Sequence, residues 1–591
     1  MISAYNPLHY FWKFLRRFLQ KKLNNWLISI IFPIYKNNRA LGEPMFAKYL
    51  LSVLIGINLL AGAAYATEAN LKAPQGGVFN YRFELEPQSL HPIKDVDMYN
   101  FYFAAYVQDS LCAHNINTWD FDPRLAESWE VSKDGLQFTF TLRKDAYFHN
   151  GENVTADDVK FSLEHIREPR LEALDLLPYF EGITKVEVLD KYKIRFTAKE
   201  KYFKNLGTLC GLVVFPKSVY HDVAKSAKML KEVVGAGPYK LERYDKGQMI
   251  VVKKFDKWYG FKDPKLKGYY NFETVNFKFT KENNVMAERL KKGEIDFAEL
   301  WRADDYLDVT GKPFRPVVQL GKGLAKAVKN QTPKSYGYIG FNFLDPILKD
   351  KSVRLAFAHL VPREEMNKKL FEGLNDLATG PVPVSSKQAA AVKPIKFDPK
   401  EARELLSKAG WADTDKDGIL DKVIDGKKTD LKITMIYARK ESEKQWTMIK
   451  EACKKAGIEL ELKFLEWNTF VKTVDEKKMQ LWAMAWGGGD VEMDPKQIWH
   501  STSNGKGGSN RGSYANPEVD KLIDEGRGEL NDAKRGAIFK KAYTLIAEDV
   551  PYVFLFNVKY DFYGMSKTVK QPGDTFGYDF GYITWWADKA N

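Results

Sequence analysis

Cysteine and histidine are scarce in this chain, and neither occurs in a metal-binding pattern. The 591 residues include eight histidines and three cysteines, Cys112, Cys210 and Cys453. No two cysteines form a Cys-x-x-Cys pair, and no two histidines have the spacing of ligands to one metal ion. The sequence therefore offers no Cys/His metal site. Two interpretations of the cysteines stay open, a Cys112–Cys210 disulfide and buried free thiols.

The short motifs of common enzyme active sites are also absent. The chain has no Gly-x-Ser-x-Gly turn, no His-Glu-x-x-His helix, and no phosphate-binding loop, because none of its Gly-Lys pairs precedes Ser or Thr. The stretch "WGGGD", residues 486–490, is rich in glycine but lacks the spacing of a dinucleotide-binding turn. We therefore expect no catalytic residues, no enzyme activity and no organic cofactor. A periplasmic hydrolase or peptidase is the alternative that a turnover assay would reveal.

Basic residues outnumber acidic ones, and their excess is concentrated at the N-terminus. The net charge is +13, but residues 1–66 hold eight Lys or Arg and one Glu, so the remaining chain carries +6. That remainder has no arginine-rich run and no repeat of aromatic and basic residues, so we expect no nucleic-acid partner. A chain of 591 residues exceeds what one hydrophobic core usually organises, which predicts two or three lobes.

The apolar run after Met45 is short and has the form of a secretory signal. It ends at Ala64-Tyr65-Ala66, where signal peptidase requires small side chains. The alternative, a transmembrane helix, needs about 20 apolar residues, which this run does not supply. We predict a signal peptide over 45–66, cleavage after Ala66, and translation from Met45, which makes residues 1–44 a misassigned extension. No cysteine stands directly after the cleavage site to carry a lipid anchor, so we expect an unanchored protein in the periplasm.

The stretch "DTDKDGILD", residues 413–421, resembles part of an EF-hand calcium loop. Ile424 stands where an EF-hand has its bidentate glutamate, and a strand-like pattern replaces the second helix. An acidic surface turn and a structural calcium site both remain open, and we expect no functional metal. The carboxylates of the candidate calcium site are Asp413, Asp415, Asp417 and Asp421.

Alternating strand and helix patterns run along the body of the chain. In "ESWEVSKDGLQFTFTLRKDAYFHNGENVTADDVKFSLEHI" the Asp134-Gly135 turn predicts a hairpin, and Thr155 with Asp158 predicts a capped helix. In "FDPKEARELLSKAGW" Asp398 is a helix cap and Pro399 fits the first helical position. Strand-like "LKITMIYA", helix-like "EKQWTMIKEACKKAG" and strand-like "IELELKFLEW" follow. This alternation predicts an α/β sheet.

These blocks resemble, in sequence and order, the extracytoplasmic solute-binding proteins of peptide ABC importers, the oligopeptide/dipeptide/nickel-binding family 5. The resemblance covers nearly the whole mature chain and implies an α/β, two-lobed type II periplasmic-binding-protein fold with an extra domain inserted in the first lobe. Further blocks that carry it are "GGVFNYRFELEPQSLHP", "VGAGPYKLERYDKGQMIVVKKFDKWYG", "LKKGEIDFAEL", "YIGFNFLDPILKDKSVRLAFAHLVPREEM" and "GSYANPEVDKLIDEGR". The implied segments are lobe I over 67–110, 236–331 and 547–591, the inserted domain over 111–235, and the ligand-clamping lobe II over 332–546.

The resemblance also implies which residues line a ligand cleft. Ordinary core packing is the alternative for each aromatic candidate, and a surface charge is the alternative for Glu86. In oligopeptide-binding members an Asp shortly after a Trp pairs with the free amine of the ligand, and Asp490 is the best match, with Asp494 as a rival that could instead cap a helix. The candidates are Glu86, Tyr336, Tyr338, Trp467, Trp482, Trp486 and Asp490.

The function implied by the resemblance is transport. A periplasmic monomer would capture oligopeptides between its lobes and deliver them to an ABC permease of the inner membrane. The alternatives are the same transport role with a nickel chelate, haem or an oligosaccharide as ligand, or a periplasmic chaperone.

Overall fold

The computed structural model describes residues 67–95, 97–173, 176–488, 491–505 and 508–588. The predicted signal peptide and the extension before it lie outside the described residues. Across the described ranges, no helix combines the length and the apolar character that crossing a bilayer requires.

The strands are numbered in chain order. They are β1 (Val78–Phe83), β2 (Cys112–His114), β3 (Phe121–Pro123), β4 (Ala126–Val131), β5 (Gln137–Leu142), β6 (Ile183–Asp190), β7 (Lys193–Ala198), β8 (Tyr239–Asp245), β9 (Met249–Lys254), β10 (Thr274–Phe279), β11 (Phe297–Leu300) and β12 (Val317–Leu320). There follow β13 (Gly323–Val328), β14 (Tyr336–Phe341), β15 (Asn375–Leu377), β16 (Asp421–Ile424), β17 (Lys427–Asp430), β18 (Lys432–Tyr437), β19 (Glu459–Phe464), β20 (Leu481–Trp486), β21 (Tyr552–Val558), β22 (Asp561–Ser566), β23 (Val569–Lys570) and β24 (Trp586–Ala587).

The α-helices are numbered in the same way. They are α1 (Met98–Val107), α2 (Ala156–Ile166), α3 (Leu177–Phe180), α4 (Asn205–Cys210), α5 (Lys217–Tyr220), α6 (Val223–Ser226), α7 (Asn283–Lys292), α8 (Ala303–Thr310), α9 (Lys351–His359), α10 (Arg363–Phe371), α11 (Pro399–Lys408), α12 (Glu443–Lys455), α13 (Trp467–Asp475), α14 (Lys496–Trp499), α15 (Pro517–Gly528) and α16 (Asp532–Asp549). Short 3-10 turns occupy Pro169–Leu171, Tyr259–Phe261, Pro264–Leu266, Lys440–Ser442, Ser501–Asn504 and Tyr582–Thr584.

Lobe I is built on an eight-stranded sheet in the order β12-β13-β22-β11-β1-β10-β9-β8. Its central strand β1 runs parallel to β10 on one side and to β11 on the other. Aromatic side chains from neighbouring strands pack in its core, where the ring centroids of Phe83 and Phe277 lie 4.7 Å apart. The parallel arrangement brings the carboxyl ends of β1, β10 and β11 to one edge of the sheet.

The inserted domain follows α1 and contains an antiparallel sheet in the order β4-β5-β7-β6. Helix α2 packs on this sheet and begins as the sequence predicts, because the backbone N–H of Thr155 donates to Asp158 Oδ2 at 3.0 Å. A disulfide joins Cys112 of β2 to Cys210 of α4, whereas Cys453 is a buried free thiol. Of the two interpretations of the cysteines, the structure therefore supports the Cys112–Cys210 disulfide.

Lobe II is built on a six-stranded sheet in the order β15-β21-β14-β20-β18-β19. Strand β18 runs parallel to β19 and β20, and β14 is antiparallel to β20 and β21. Helices cover both faces of the sheet, with α9, α11 and α12 on one face and α13, α15 and α16 on the other. Helix α11 begins as predicted, since Asp398 accepts hydrogen bonds from the N–H groups of Lys400 and Glu401.

Two segments connect the lobes, residues 329–335 between β13 and β14 and residues 559–560 between β21 and β22. Strand β21 pairs with β14 and β15, so it belongs to lobe II, although the boundary expected at 546/547 assigned it to lobe I. The boundary falls later because β21 fills the sheet position beside β14, and the chain returns to lobe I only at β22. The two-lobed α/β architecture expected from the sequence is confirmed.

Candidate functional site

A cleft of about 520 Å³ lies where the two lobes meet the connecting segments. Lobe I, both connecting segments and the glycines after β20 contribute to its walls. This volume is in the range of small-molecule binding sites. The main lining residues are Met98, Tyr102, Trp119, Glu299, Trp301, Asn330, Thr332, Lys334, Gly487, Gly488, Tyr560, Asp561, Tyr578, Asp579 and Tyr582.

The strand order explains why these residues meet. Glu299 and Trp301 lie at the carboxyl end of β11, and Gly487 and Gly488 follow the carboxyl end of β20. In open α/β sheets, ligands bind outside the carboxyl ends of the parallel strands. Gly488 also permits a close backbone approach, because a Cβ atom at this position would lie 2.0 Å from the carbonyl oxygen of Pro333. The cleft thus occupies the position that the topology favours for a ligand.

Aromatic rings from lobe I and the inserted domain form much of the cleft wall. Trp301 is 38% exposed and stacks on Tyr102 with ring centroids 6.2 Å apart. The ring centroids of Trp119 and Tyr578 lie 5.3 Å apart, and the two ring planes are tilted to each other. The backbone of Trp119 has φ of 68°, an unfavourable conformation for a bulky residue. Exposed aromatic faces of this kind suit apolar or cationic ligand groups.

Three carboxylates share the cleft with a single lysine among its described lining residues. Lys334 Nζ lies 2.5 Å from Asp561 Oδ2, so these two groups form an ion pair. Burial, together with the charges of Asp561 and Asp579, raises the pKa of Glu299 to about 8. Burial and the charge of Asp561 raise the pKa of Asp579 to about 6. Among the described residues, Glu299 and Asp579 therefore have no ion-pair partner, although the charge of Arg82 acts to lower the pKa of Glu299.

Three of the aromatic residues expected in the cleft lie in the core of lobe II. Tyr336, Tyr338 and Trp482 are 2%, 0% and 0% exposed, respectively. Tyr338 stacks on Tyr552 with ring centroids 4.0 Å apart, and the Trp482 indole N–H donates to the Tyr338 hydroxyl at 3.4 Å. These side chains face the helices α13, α15 and α16. The cleft lining does not include them.

The other two candidate tryptophans lie at the edge of lobe II. Trp486 ends β20, stacks on Tyr338 at 6.1 Å, and has the guanidinium of Arg511 at 5.5 Å from its ring centre. Trp467 begins α13, is 57% exposed, and stacks on Phe470. Trp486 leads directly into the glycines that line the cleft, and Trp467 presents its ring to solvent.

Glu86 lies beside the β8–β9 turn of lobe I. Its Oε2 atom accepts a hydrogen bond from the backbone N–H of Gly247 at 3.1 Å, and its Oε1 atom is 3.9 Å from Lys231 Nζ. These contacts hold the carboxylate at the turn, and Glu86 is not part of the cleft lining.

The structure describes one of the two aspartates that were considered for recognition of the ligand amine. Asp490 lies outside the described residues, which resume at Val491. Asp494 Oδ2 accepts hydrogen bonds from the Tyr202 hydroxyl and from Arg527 Nε, each at 2.8 Å. Its Oδ1 atom accepts the backbone N–H of Lys496 at 2.9 Å, at the start of α14. Asp494 therefore joins the inserted domain, which contains Tyr202, to lobe II.

The acidic loop brings together three of its four candidate carboxylates. Oxygen atoms of Asp413, Asp415 and Asp417 all lie within 4.8 Å of one another. Asp421 instead accepts hydrogen bonds from the backbone and side chain of Thr414. Lys428 Nζ lies 2.5 Å from Asp415 Oδ2 and 3.5 Å from Asp421 Oδ2. The loop is acidic, and the ammonium group of Lys428 pairs with two of its carboxylates.

The sequence interpretation missed the lobe I wall of the cleft. Glu299 lies in the block "LKKGEIDFAEL", and Trp301 follows it directly. This block contributed to the family resemblance, but neither residue was predicted to line the cleft. Their position at the carboxyl end of a parallel strand was the available signal. Tyr102, Trp119 and Asp579 carry no comparable signal, because the fold brings them in from α1, the inserted domain and the C-terminal segment.

Residues 120–509 match a protein-family model described as bacterial extracellular solute-binding proteins, family 5, middle part. The chain is 28% identical over 446 residues to the oligopeptide-binding protein AppA of Bacillus subtilis, which covers 73% of this chain and 77% of AppA. It is 25% identical over 491 residues to the di/tripeptide-binding protein 3 of Pseudomonas aeruginosa, which covers 78% of this chain and 83% of that protein.

Solved structures agree with this match. AppA in complex with a nonapeptide superposes with a TM-score of 0.70 at 25% identity and covers 88% of this chain and 100% of AppA. NikZ from Campylobacter jejuni in complex with Ni(L-His) gives a TM-score of 0.68 at 23% identity, with 86% of this chain and 99% of NikZ covered. The likeness to NikZ shows the common fold alone.

Proposed function

Because the chain belongs to the bacterial extracellular solute-binding proteins, family 5, we propose that it captures peptides between its lobes and delivers them to an ABC permease in the inner membrane. The observation that carries this proposal is the cleft of about 520 Å³ lined by lobe I, the glycines after β20 and both connecting segments. Two relatives named for peptide binding, AppA and the di/tripeptide-binding protein 3, support a peptide as the ligand.

The chemistry of the cleft suits a short peptide. Aromatic faces such as those of Trp119 and Trp301 tolerate different side chains, because stacking and apolar contact do not require one partner geometry. The polar side chains of Asn330 and Thr332 on the connecting segment hydrogen-bond to the Thr575 hydroxyl and to the Tyr578 carbonyl oxygen, and so fix the shape of this part of the cleft. A binding site of this type combines affinity with broad specificity.

Contacts between the lobes provide a means to retain the ligand. Arg439, which follows β18 in lobe II, donates to Asp304 Oδ2 of α8 in lobe I at 2.8 Å. The Tyr202–Asp494–Arg527 contact joins the inserted domain to lobe II. Closure of two lobes around a bound solute is an established mode of domain motion, and these contacts are available to stabilise the closed state.

The proposed function requires a location outside the cytoplasm. We propose that residues 1–66 are removed on export, and that the mature protein acts as a periplasmic monomer without an organic cofactor, nucleic-acid partner or catalytic activity. The acidic loop is proposed to be a charge-paired turn, and any calcium ion bound there would have a structural role. The extracytoplasmic location of the family supports the first of these statements.

Isothermal titration calorimetry of the mature protein with a panel of defined dipeptides to nonapeptides tests the proposal. We expect saturable binding of several peptides and no change in the peptides after prolonged incubation. Cleavage of the peptides would indicate a hydrolase. Failure of every peptide, together with binding of a nickel–histidine chelate, haem, an oligosaccharide or an unfolded protein chain, would overturn the peptide assignment in favour of that ligand.

A further inference from the structure

The lobe I wall of the cleft has more carboxyl groups than cationic groups among its described lining residues. Glu299, Asp561 and Asp579 line it, and the ammonium group of Lys334 is the single cation among the described lining residues. Lys334 pairs with Asp561 at 2.5 Å. The carboxyl groups of Glu299 and Asp579 have no ion-pair partner within the described part of the chain.

Residues from several neighbouring elements surround these two carboxyl groups. Tyr102 of α1 acts to lower the pKa of Glu299, and the backbone N–H of Gly581 donates to Asp579 Oδ1. Arg82 of β1 also lies beside Glu299, but its side chain is 2% exposed and donates to the backbone carbonyl oxygens of Thr280, Lys281 and Glu299. Arg82 therefore reduces the negative potential at Glu299 without forming an ion pair with it.

A separate polar group marks the same wall. Tyr582 is 9% exposed and lines the cleft. Because it borders the cleft, its hydroxyl is placed to hydrogen-bond with a ligand there.

Aromatic faces complete the wall. The ring of Trp301 is 38% exposed beside Glu299, and Trp119 and Tyr578 border the same space. A cation over the face of an aromatic ring is stabilised by the ring quadrupole, and tryptophan is the most effective partner. Carboxyl groups next to exposed indole rings are suited to an organic cation and less suited to an anion.

We propose that the Glu299–Asp579 wall binds a positively charged group of the ligand, an ammonium or a guanidinium, and so favours peptides with a lysine or arginine side chain. This inference rests on the proposed function, since it specifies which peptides the cleft prefers. The Tyr582 hydroxyl lies at the same wall as a hydrogen-bonding group for the ligand.

Binding of a cationic group at this wall is expected to depend on pH. Burial raises the pKa of Glu299 to about 8 and that of Asp579 to about 6, and the charge of Asp561 acts in the same direction. Glu299 is therefore mainly protonated near neutral pH in the absence of a ligand. A bound cation stabilises the ionised carboxylate, so binding releases a proton and the affinity for a cationic peptide rises with pH between about 6 and 8.

Calorimetry with three matched peptides tests this inference. Ala-Lys-Ala, its uncharged analogue with norleucine in place of lysine, and Ala-Glu-Ala are compared near pH 7.5. We expect the lysine peptide to bind about tenfold or more tightly than the norleucine peptide, with proton release in buffers of different ionisation enthalpy. Glu299→Gln, which preserves the shape of the side chain, should remove most of the preference and most of the proton release.

The control is Glu288→Gln, which makes the same chemical change at an exposed position of α7 paired with Lys291. It should leave the preference unchanged. Equal affinities for the lysine and norleucine peptides, or a preference that survives both Glu299→Gln and Asp579→Asn, would overturn the inference while peptide binding stands. If no peptide binds, arginine amide serves as the probe. Its binding, if lost in Glu299→Gln, would retain the cation site and refute only the peptide function, and its failure would refute both.

Discussion

Asp494 connects the inserted domain to lobe II, and its charge is expected to favour the closed state. Its Oδ2 atom accepts hydrogen bonds from Tyr202 of the inserted domain and from Arg527 of α15. The side chains of Arg527 and Asp494 are 21% and 19% exposed, so the ion pair is shielded from most of the solvent. We predict that Asp494→Asn weakens peptide binding because the ligand-bound, closed state loses a contact that an open state lacks.

The magnitude follows from the geometry. A hydrogen bond to a charged group contributes about 1.5–3 kcal/mol when it is shielded, and an exposed ion pair contributes about 0–1 kcal/mol. Asparagine retains an acceptor oxygen, and the bond to the backbone N–H of Lys496 at the start of α14 can persist. We therefore expect a loss of about 1 kcal/mol in the closed state, which corresponds to about fivefold weaker binding.

Titration calorimetry measures the affinity, and thermal unfolding without ligand measures the effect on the fold. Asp524→Asn is the matched control, because Asp524 pairs with Lys496 at 3.3 Å within lobe II and does not reach the inserted domain. Tyr202→Phe should have a smaller effect than Asp494→Asn, since it removes a hydroxyl group and leaves the ion pair. Wild-type affinity in Asp494→Asn together with a lower melting temperature would refute a role in closure and leave only a role in folding.

The remaining predictions concern the acidic loop, Asp490 and the mature N-terminus. Calcium should not raise the melting temperature measurably, because Lys428 already pairs with Asp415 at 2.5 Å, and a rise of several degrees that Asp415→Ala abolishes would contradict this. Asp490→Asn should weaken binding of a free-amine peptide about tenfold and hardly change binding of its N-acetylated form, and equal losses would contradict amine recognition. Mass-spectrometric sequencing of the exported protein should give Thr67 as its first residue, and an exported form that starts at Met1 would refute processing.

The sequence predicted the architecture and several local structures well. Helix caps at Thr155 and Asp398 and the Asp134-Gly135 hairpin depend on residues close together in the chain, so local patterns were sufficient. The cysteine pairing was not decidable, because Cys112 and Cys210 are 98 residues apart and meet only in the folded inserted domain. The lobe boundary near β21 was misplaced for the same reason, since sheet membership depends on distant partners.

The site was harder to predict than the fold. Alternation along β14 and β20 places Tyr336, Tyr338 and Trp482 on one face of the sheet, but a period of two does not reveal whether that face meets helices or a cleft. Glu299 and Asp579 are separated by about half of the mature chain and converge because β11 and the C-terminal segment meet in lobe I. Their proximity depends on strand order, which the sequence patterns do not contain.

The central claim is that the cleft between the lobes holds a peptide. Mass spectrometry of the small molecules released from the mature protein, after purification from an exporting cell without added ligand, tests it most directly. We expect short peptides enriched in lysine and arginine, bound one per protein and displaced by Ala-Lys-Ala. Release of a nickel chelate, haem or an oligosaccharide that Ala-Lys-Ala does not displace would contradict it.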